Sequence, residues 1–357
     1  YQAVEQAVAE AKGDPRRPVC LWVKTIKGYS VKETEKSSSG GHGFPLKDGE
    51  KIIQFVEEIT SGKTPADLKS WAESLRRDWE AKQQTKKAAP AGSASVKKEK
   101  VQAGFARAAV RAAQEGLPVV SISADLPGST GVAAFQKAVP GRSFDIGVAE
   151  ANMVSTCTGL SKTGFLPVAD TFWQFGITKG NLPIIMAALS QGPIVGAFTH
   201  AGFQDAADGA SHEATTYFSA VSSIPHTLAI AVSCSEQAEA LMLGAFQRLA
   251  KEREAGQDGE SALFFAGRED FPARLGERPE GYPWGKATVL RPGKDVVLVA
   301  CGPMVPLALE AAEILAQAGK QATVIDNPFV NRPDLGTIAP AVQAAGGRLV
   351  TIEDHQI

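Results

Sequence analysis

A carboxylate at the junction of an apolar strand and a helix is the first candidate for chemistry in this sequence. Residues 144–148 have the pattern of a strand, and Glu150 begins the helical pattern that follows it. A second polar cluster follows the apolar residues 192–198 and contains His200, Asp208 and His212. Ligands of open α/β sheets bind beyond the carboxyl ends of the strands, so both segments would direct titratable groups at one crevice. The alternative is a helix-terminal charge and two surface histidines.

The other predicted strand ends add polar and aromatic residues to this set. The full set combines acids, histidines, aromatic rings and a cation: Asp125, Ser129, Glu150, Phe172, Phe175, His200, Asp208, His212 and Arg268. Such a combination suits a cofactor with a flat ring and a substrate with hydroxyls and a phosphate. The two phenylalanines, three residues apart on one helical face, could instead pack in the core.

Known nucleotide and metal motifs are missing from the sequence. No Gly-x-Gly-x-x-Gly follows a strand, there is no Walker loop, and His212 has no second histidine at the spacing of a zinc helix. The four cysteines form no Cys-x-x-Cys pair and are expected to be buried, reduced thiols of a cytoplasmic protein. We therefore predict no metal site built by these residues.

Composition favours a small-molecule ligand. The chain has 357 residues, enough for two or three domains, and its 37 basic and 39 acidic residues give a net charge of -2. Nucleic acid and anionic membranes are therefore not expected as partners. The apolar residues 182–198 are interrupted by Ser190, Gln191, Gly192 and Pro193, which excludes a membrane span there.

The first part of the sequence is interpreted as the tail of an α/β domain, residues 1–81. A helix is predicted at its start, then a buried strand over residues 18–23 and a Gly- and Ser-rich loop over 28–43. A second helix should begin at Thr64-Pro65, which has a cap and a proline at the first helical position. Residues 82–99 are polar and lysine-rich and are interpreted as an interdomain linker. Both ends of the sequence are expected to be cut.

Strand and helix patterns alternate after residue 100. This alternation predicts a doubly wound parallel sheet in a domain covering residues 100–273. Its strands are expected at residues 119–124, 144–148, 166–171, 194–199, 227–233 and 262–266. The alternation resumes in residues 285–357 with strands at 295–300 and 321–325 and a helix at 305–318, an incomplete α/β domain.

Several ordered motifs resemble those of transketolase over nearly the whole sequence. The motifs lie at residues 24–29, 41–46, 123–126, 146–153, 171–172, 208–212 and 353–355. The resemblance implies the end of a diphosphate-binding domain, a pyrimidine-binding domain with the thiamine diphosphate-binding fold, and part of a C-terminal domain.

The resemblance also implies an activity. A transketolase is a transferase of carbohydrate metabolism, in the pentose phosphate pathway, that moves a two-carbon ketol unit from a ketose phosphate to an aldose phosphate through a thiamine-bound carbanion. It implies thiamine diphosphate and Mg²⁺ as cofactors, and as partners sugar phosphates and either a homodimer or a complementary chain with the diphosphate domain. The Gly-Asp-Gly segment that holds magnesium in the family does not occur in this sequence, so half of the cofactor site is expected elsewhere. Another thiamine diphosphate enzyme, such as deoxyxylulose phosphate synthase, and a non-catalytic dimerisation module are the alternatives.

The resemblance assigns a cofactor role to five residues. Glu150 would hydrogen-bond the aminopyrimidine and promote its imino tautomer, which requires a carboxylate because the ring nitrogen must stay protonated. Phe172 and Phe175 would stack on the pyrimidine. Asp125 and Leu126 would complete this part of the site.

Four residues would bind the sugar and relay protons. His42, His200 and His212 would bind its hydroxyls and carbonyl, with His42 and His212 taking part in catalysis. Asp208 would fix the stereochemistry of the sugar.

Ser129 and Arg268 would hold the distal phosphate, a task that suits a planar guanidinium. The sequence departs from the family here, because Gln102 stands where the family has an arginine, with Lys100 nearby. The loop at residues 201–207 also differs from the family pattern.

Overall fold

The computed structural model describes residues 2–13, 16, 18–36, 46, 49–88, 97–205, 208–276 and 280–355, except for the side chains of residues 85–88 and 217. The chain divides into two compact units, residues 1–93 and 94–357. No helix in the described ranges is both long and apolar enough to cross a membrane.

The described part of the first unit is helical. Its helices are α1 (Gln2–Gly13), α2 (Lys32–Glu35), α3 (Ile52–Ile59) and α4 (Ala66–Ala88). Helix α3 packs against α4, which begins directly after Pro65 as the sequence predicts.

The strand predicted at residues 18–23 is wrong. These residues form no regular element and are exposed, with Trp22 at 85%. No described residue of this unit forms a strand to pair with them, so the apolar run alone could not form a sheet. Cys20 is consequently exposed, contrary to the expectation that all four thiols are buried.

The start of the predicted linker is also helical. Helix α4 continues to Ala88, because the residues after Ala81 are mostly lysine, glutamine and alanine, which favour helices without a buried face. A short strand, β1 (Lys98–Lys100), includes the end of the predicted linker.

The second unit alternates strands and helices, as predicted. Up to residue 189 its elements after β1 are α5 (Ala103–Gln114), β2 (Val119–Ser123), α6 (Ala133–Ala138), β3 (Ser143–Asp145), α7 (Glu150–Lys162), β4 (Leu166–Phe172), α8 (Trp173–Thr178) and α9 (Asn181–Leu189). They continue with β5 (Val195–Thr199), α10 (Tyr217–Ser222), β6 (Thr227–Ala231), α11 (Ser235–Glu254), β7 (Ser261–Ala266) and β8 (Asp270–Pro272). The last are β9 (Thr288–Arg291), β10 (Val296–Ala300), α12 (Met304–Gln317), β11 (Ala322–Asp326), α13 (Leu335–Ala344) and β12 (Leu349–Ile352).

The central sheet confirms the predicted fold class. Its six strands are ordered β3-β2-β4-β5-β7-β6 and are all parallel. Separate hydrophobic clusters cover its two faces, one built on α5 and α11 and the other on α7, α8 and α9. Strand β3 is shorter than predicted, because Gly147 adopts a left-handed φ of 73° and its amide bonds Asp145.

A second sheet, ordered β12-β10-β11-β9, forms the predicted C-terminal α/β region. The residues that follow β11 in this region also cover the edge of the central sheet. The Ala231 amide donates to the Pro328 carbonyl at 2.8 Å, and the Val330 amide to the Ala229 carbonyl at 2.9 Å. The buried Asp326 carboxylate accepts bonds from Ser233 and Gln237, both at 2.9 Å. The outer backbone groups of the edge strand β6 therefore have hydrogen-bond partners.

Candidate active site

Glu150 is the first residue of α7 and lies at the carboxyl edge of the central sheet. It is buried, and its helix packs against β4 and β2. Its carboxylate makes no hydrogen bond or ion pair with another described residue. The positive end of the helix dipole stabilises a negative charge at this position. Glu150 is therefore a buried acid that is free to bond a ligand.

Aromatic side chains gather at the ends of β4 and β5, at the same edge of the sheet. The rings of Phe172 and Phe175 stack with their centroids 6.5 Å apart. The His200 ring lies 3.9 Å from Phe172, and the His212 ring lies 5.0 Å from Phe175, edge to face. The two phenylalanines and two histidines selected from the sequence thus form one cluster.

His200 is an uncharged group of this cluster. It follows β5 in the left-handed region, with a φ of 62°, which is rare for residues other than glycine. Its Nδ1 lies 2.8 Å from the Thr199 hydroxyl. Burial, together with the positive charge of Arg268, lowers the pKa of His200 to about 3. At neutral pH its imidazole can donate or accept a hydrogen bond, but it carries no positive charge that would attract a phosphate.

Arg268 is bonded by two carboxylates. Its guanidinium donates to Asp205 and, at 3.3 Å, to Asp208. Asp205 is fully buried, and burial together with the nearby Asp208 raises its pKa to about 6. Asp205 has no sequence motif that singles it out, although it lies in the loop at residues 201–207 that differs from the family pattern. A phosphate at Arg268 has to compete with both acids.

The loop after β2 brings the remaining predicted residues to the same edge. Asp125 has a left-handed φ of 63°, and its amide donates to the Asp145 carboxylate at 3.1 Å. Leu126 is half-buried and Ser129 is exposed. The Ser129 carbonyl accepts a 3.3 Å bond from the Gln102 side chain.

Lys100 approaches this region from β1. Its ammonium donates to the Arg268 carbonyl at 2.6 Å and lies 3.3 Å from Asp270. Both basic side chains near the predicted phosphate position are therefore paired with acids. His42 lies outside the described residues, so its predicted role stays a prediction.

Gly202 ties the β5 loop to the end of the C-terminal region. It has a φ of 73°, and its amide and carbonyl both pair with Ala214. A Cβ at this position would overlap the Asp354 carboxylate. A side chain here would therefore displace the acid that packs on the loop.

We expect Gly202→Ala to lower the free energy of unfolding by roughly 2 kcal/mol or more, from backbone strain and the clash. Gly209→Ala is the matched control, because it has a φ of 83° in the same loop but no described residue close to its Cβ. It should cost only the strain, about 1 kcal/mol. Urea unfolding of both variants measures the difference, and equal losses would show that the Asp354 contact is unimportant.

Comparisons with known proteins agree with this architecture. Residues 97–254 match the model of the transketolase pyrimidine-binding domain, and residues 285–357 match that of the transketolase C-terminal domain. Curated relatives include 1-deoxy-D-xylulose-5-phosphate synthases. The one from Thermomicrobium roseum is 30% identical over 253 residues, covering 71% of this chain and 39% of the relative. The one from Desulfitobacterium hafniense is 26% identical over 358 residues, covering 99% of this chain and 48% of the relative. The chain thus spans less than half the length of these relatives.

Solved transketolases have the same fold. A split-gene transketolase, described as an inactive tetramer of four beta subunits, is 28% identical to this chain and has a TM-score of 0.61. The match covers 72% of this chain and 80% of that one. A mutant transketolase from Pichia stipitis, in complex with fructose 6-phosphate, has a TM-score of 0.61 over 99% of this chain and 58% of that one. At 19% identity, this second likeness supports the fold alone. With its pyrimidine-binding and C-terminal domains, the chain belongs to the transketolase family.

Proposed function

We propose that this chain supplies the pyrimidine-binding half of a thiamine diphosphate-dependent, transketolase-type transferase. The reaction moves a two-carbon ketol unit from a ketose phosphate to an aldose phosphate. The observation that carries the proposal is the placement of Glu150 at the same sheet edge as the rings of Phe172, Phe175, His200 and His212.

These residues fit the pyrimidine end of the cofactor. Glu150 is buried without a bonding partner among the described residues, so its carboxylate would hold a proton on a ring nitrogen. Phe172 and Phe175 would offer apolar faces to the ring, and Asp125 and Leu126 would border it. When bound, thiamine diphosphate supplies a carbon nucleophile and accepts the electron pair released when the ketose bond breaks.

The polar groups beyond the rings would bind the sugar. Neutral His200 would hydrogen-bond a hydroxyl, with its Nδ1 engaged by Thr199. His212, held at Nδ1 by Ser211 at 2.9 Å, would relay a proton to or from the substrate oxygen, with His42 as a second relay. Asp208 would accept a bond from a sugar hydroxyl. Ser129 and Arg268 are proposed at the phosphate end.

The diphosphate and Mg²⁺ would bind to a complementary domain. No three acidic, histidine or cysteine side chains of the described residues are grouped so as to hold a metal ion. We propose that the domain comes from a second copy of the whole enzyme or from a separate chain. The greater length of the relatives and the split-gene transketolase support this arrangement. We further propose a cytoplasmic enzyme of the pentose phosphate pathway.

The isolated chain is expected to bind thiamine diphosphate and Mg²⁺ very weakly, because it offers only the pyrimidine contacts. Titration calorimetry should detect no magnesium-dependent binding in the micromolar range. The same titration with the diphosphate-binding domain added should detect it. Micromolar binding to the chain alone, about -8 kcal/mol, would contradict the proposed division of the site.

A 1-deoxy-D-xylulose-5-phosphate synthase is the second candidate, since the curated relatives bear this name. Product analysis of the assembled enzyme separates the two activities. Xylulose 5-phosphate with ribose 5-phosphate tests ketol transfer, whereas pyruvate with glyceraldehyde 3-phosphate tests the synthase. Turnover of the second pair alone would reject the transketolase assignment.

A non-catalytic dimerisation module is the third candidate, because the similar split-gene tetramer is described as inactive. Adding the complementary domain decides this case. Activity that appears only in the mixture supports a catalytic half-site. Stable assembly without turnover of either substrate pair supports the module.

A further inference from the structure

Asp170 is a buried acid of the central sheet that the proposed reaction does not use. It lies in β4 and is fully buried. Its Oδ2 accepts bonds from the hydroxyls of Ser123 and Thr130, both at 2.8 Å, and its Oδ1 lies 3.4 Å from the Ser121 hydroxyl. Among the described residues, no cation pairs with it. An unpaired buried carboxylate is costly, so these hydroxyls and any bound proton determine its state.

Thr130 differs from the two serines because it belongs to a loop. Ser121 and Ser123 are part of β2, whereas Thr130 ends the segment 125–130 that follows this strand. The segment begins at Asp125 in the left-handed region and contains the exposed Ser129, yet Thr130 itself is fully buried. The bond from Thr130 to Asp170 therefore fastens the loop to the neighbouring strand.

A single hydroxyl proton limits what Thr130 can do. Its Oγ1 lies 2.8 Å from Asp170 and 3.0 Å from the Leu126 carbonyl, and one proton cannot serve both acceptors fully. When Asp170 is ionised, the Thr130 proton points to the carboxylate. When Asp170 is protonated, its own proton can bond Thr130, whose hydroxyl is then free to bond Leu126. When Asp170 is protonated, Thr130 can therefore bond Asp170 and the Leu126 carbonyl at the same time. When Asp170 is ionised, the one Thr130 proton serves the carboxylate alone.

We propose that Asp170 and Thr130 form an anchor that holds residues 125–130 against the sheet, and that the anchor loosens when Asp170 loses its proton. Asp170 is thereby a positioning residue for Asp125, Leu126 and Ser129. The importance of these three for ligand binding rests on the proposed function, but the anchor itself does not.

The direction of the pH dependence follows from burial. Burial raises the pKa of Asp170 to about 7, against the opposing effect of the three hydroxyl bonds. Two other titratable groups face it. The Asp145 carboxylate at the end of β3 also raises this pKa, and the Cys157 thiol in α7 has its own pKa raised by burial and stays protonated. An opened loop admits water and returns the pKa of Asp170 toward 3.8. Closure is therefore most stable at low pH, weakens between about pH 4 and 7, and is constant above.

Hydrogen exchange of the isolated chain tests the anchor without cofactor or turnover. After correction for intrinsic rates, the hydrogen-bonded amides of Asp125, Ser129 and Thr130 should exchange roughly tenfold faster at pH 7.5 than at pH 5.5. Asp170→Asn should abolish this difference, because an amide of the same shape cannot ionise. Retention of the full difference in Asp170→Asn would overturn the proposal.

Variants of Thr130 keep the test decisive if Asp170→Asn fails to fold. Thr130→Val should speed exchange of the loop at pH 5.5 by roughly three- to tenfold, the effect of one hydrogen bond. Thr130→Ser keeps the hydroxyl and should restore slow exchange. Ser121→Ala is the control, because it removes a longer bond within the sheet and should leave the loop unchanged. Equal exchange in the Val and Ser variants would reject the anchor.

Discussion

The Glu150→Gln variant is expected to lose ketol-transfer activity by about 10² to 10⁴-fold, the usual contribution of an acid-base group. Glutamine keeps the size of the side chain, but it cannot stabilise a protonated ring nitrogen as a carboxylate does. The fold should survive, because the carboxylate bonds no other described residue and its interaction with the helix dipole contributes only about 0.3 to 1 kcal/mol. Steady-state rates of the assembled enzyme measure the loss.

Glu236→Gln is the matched control. Glu236 is also an acid in the first turn of a helix of this domain, α11, and it pairs with Arg274 at the surface. We expect near-normal rates for this variant. Thermal unfolding of both isolated chains should remain close to that of the unchanged chain. Near-normal turnover of Glu150→Gln would reject the assignment of Glu150, whereas loss of folding would show a structural role.

The central sheet could be predicted because its strands are buried on both faces. Strands β2, β4, β5, β6 and β7 are buried along their whole length, so each is a mostly apolar segment in the sequence. Residues 18–23 have the same appearance but no partner strand in the described part of their unit. An apolar run indicates that a segment can pair as a β-strand. Whether a partner strand is available depends on the tertiary structure.

Strand ends also led to most of the candidate site. Glu150, Phe172 and His200 each lie at or just beyond the carboxyl end of a parallel strand, where sheet enzymes bind ligands. Asp205 and Asp170 could not be selected in this way. Asp205 meets Arg268 across 63 positions of the chain, and Asp170 lies within an apolar strand with no local motif. Their roles depend on contacts that only the folded chain provides.

Release of Arg268 from Asp205 should strengthen phosphate binding by the assembled enzyme. The guanidinium is now shared between two carboxylates, and neutral His200 adds no positive charge. Asp205→Asn keeps the shape of the buried side chain but removes one charge. We therefore expect the Michaelis constant for phosphorylated sugars to fall by roughly tenfold, since bonds to charged groups contribute about 1.5 to 3 kcal/mol.

Arg268→Ala should act in the opposite direction. It should raise the Michaelis constant for phosphorylated sugars by roughly tenfold or more and have little effect on unphosphorylated ones. The contrast between the two kinds of sugar is the measurement, because damage to the fold would affect both alike. If both suffer equally, Arg268 is structural and the phosphate binds elsewhere, with Lys100 as the next candidate. If Asp205→Asn leaves the Michaelis constants for phosphorylated and unphosphorylated sugars unchanged, the ion pair with Asp205 does not control access to Arg268.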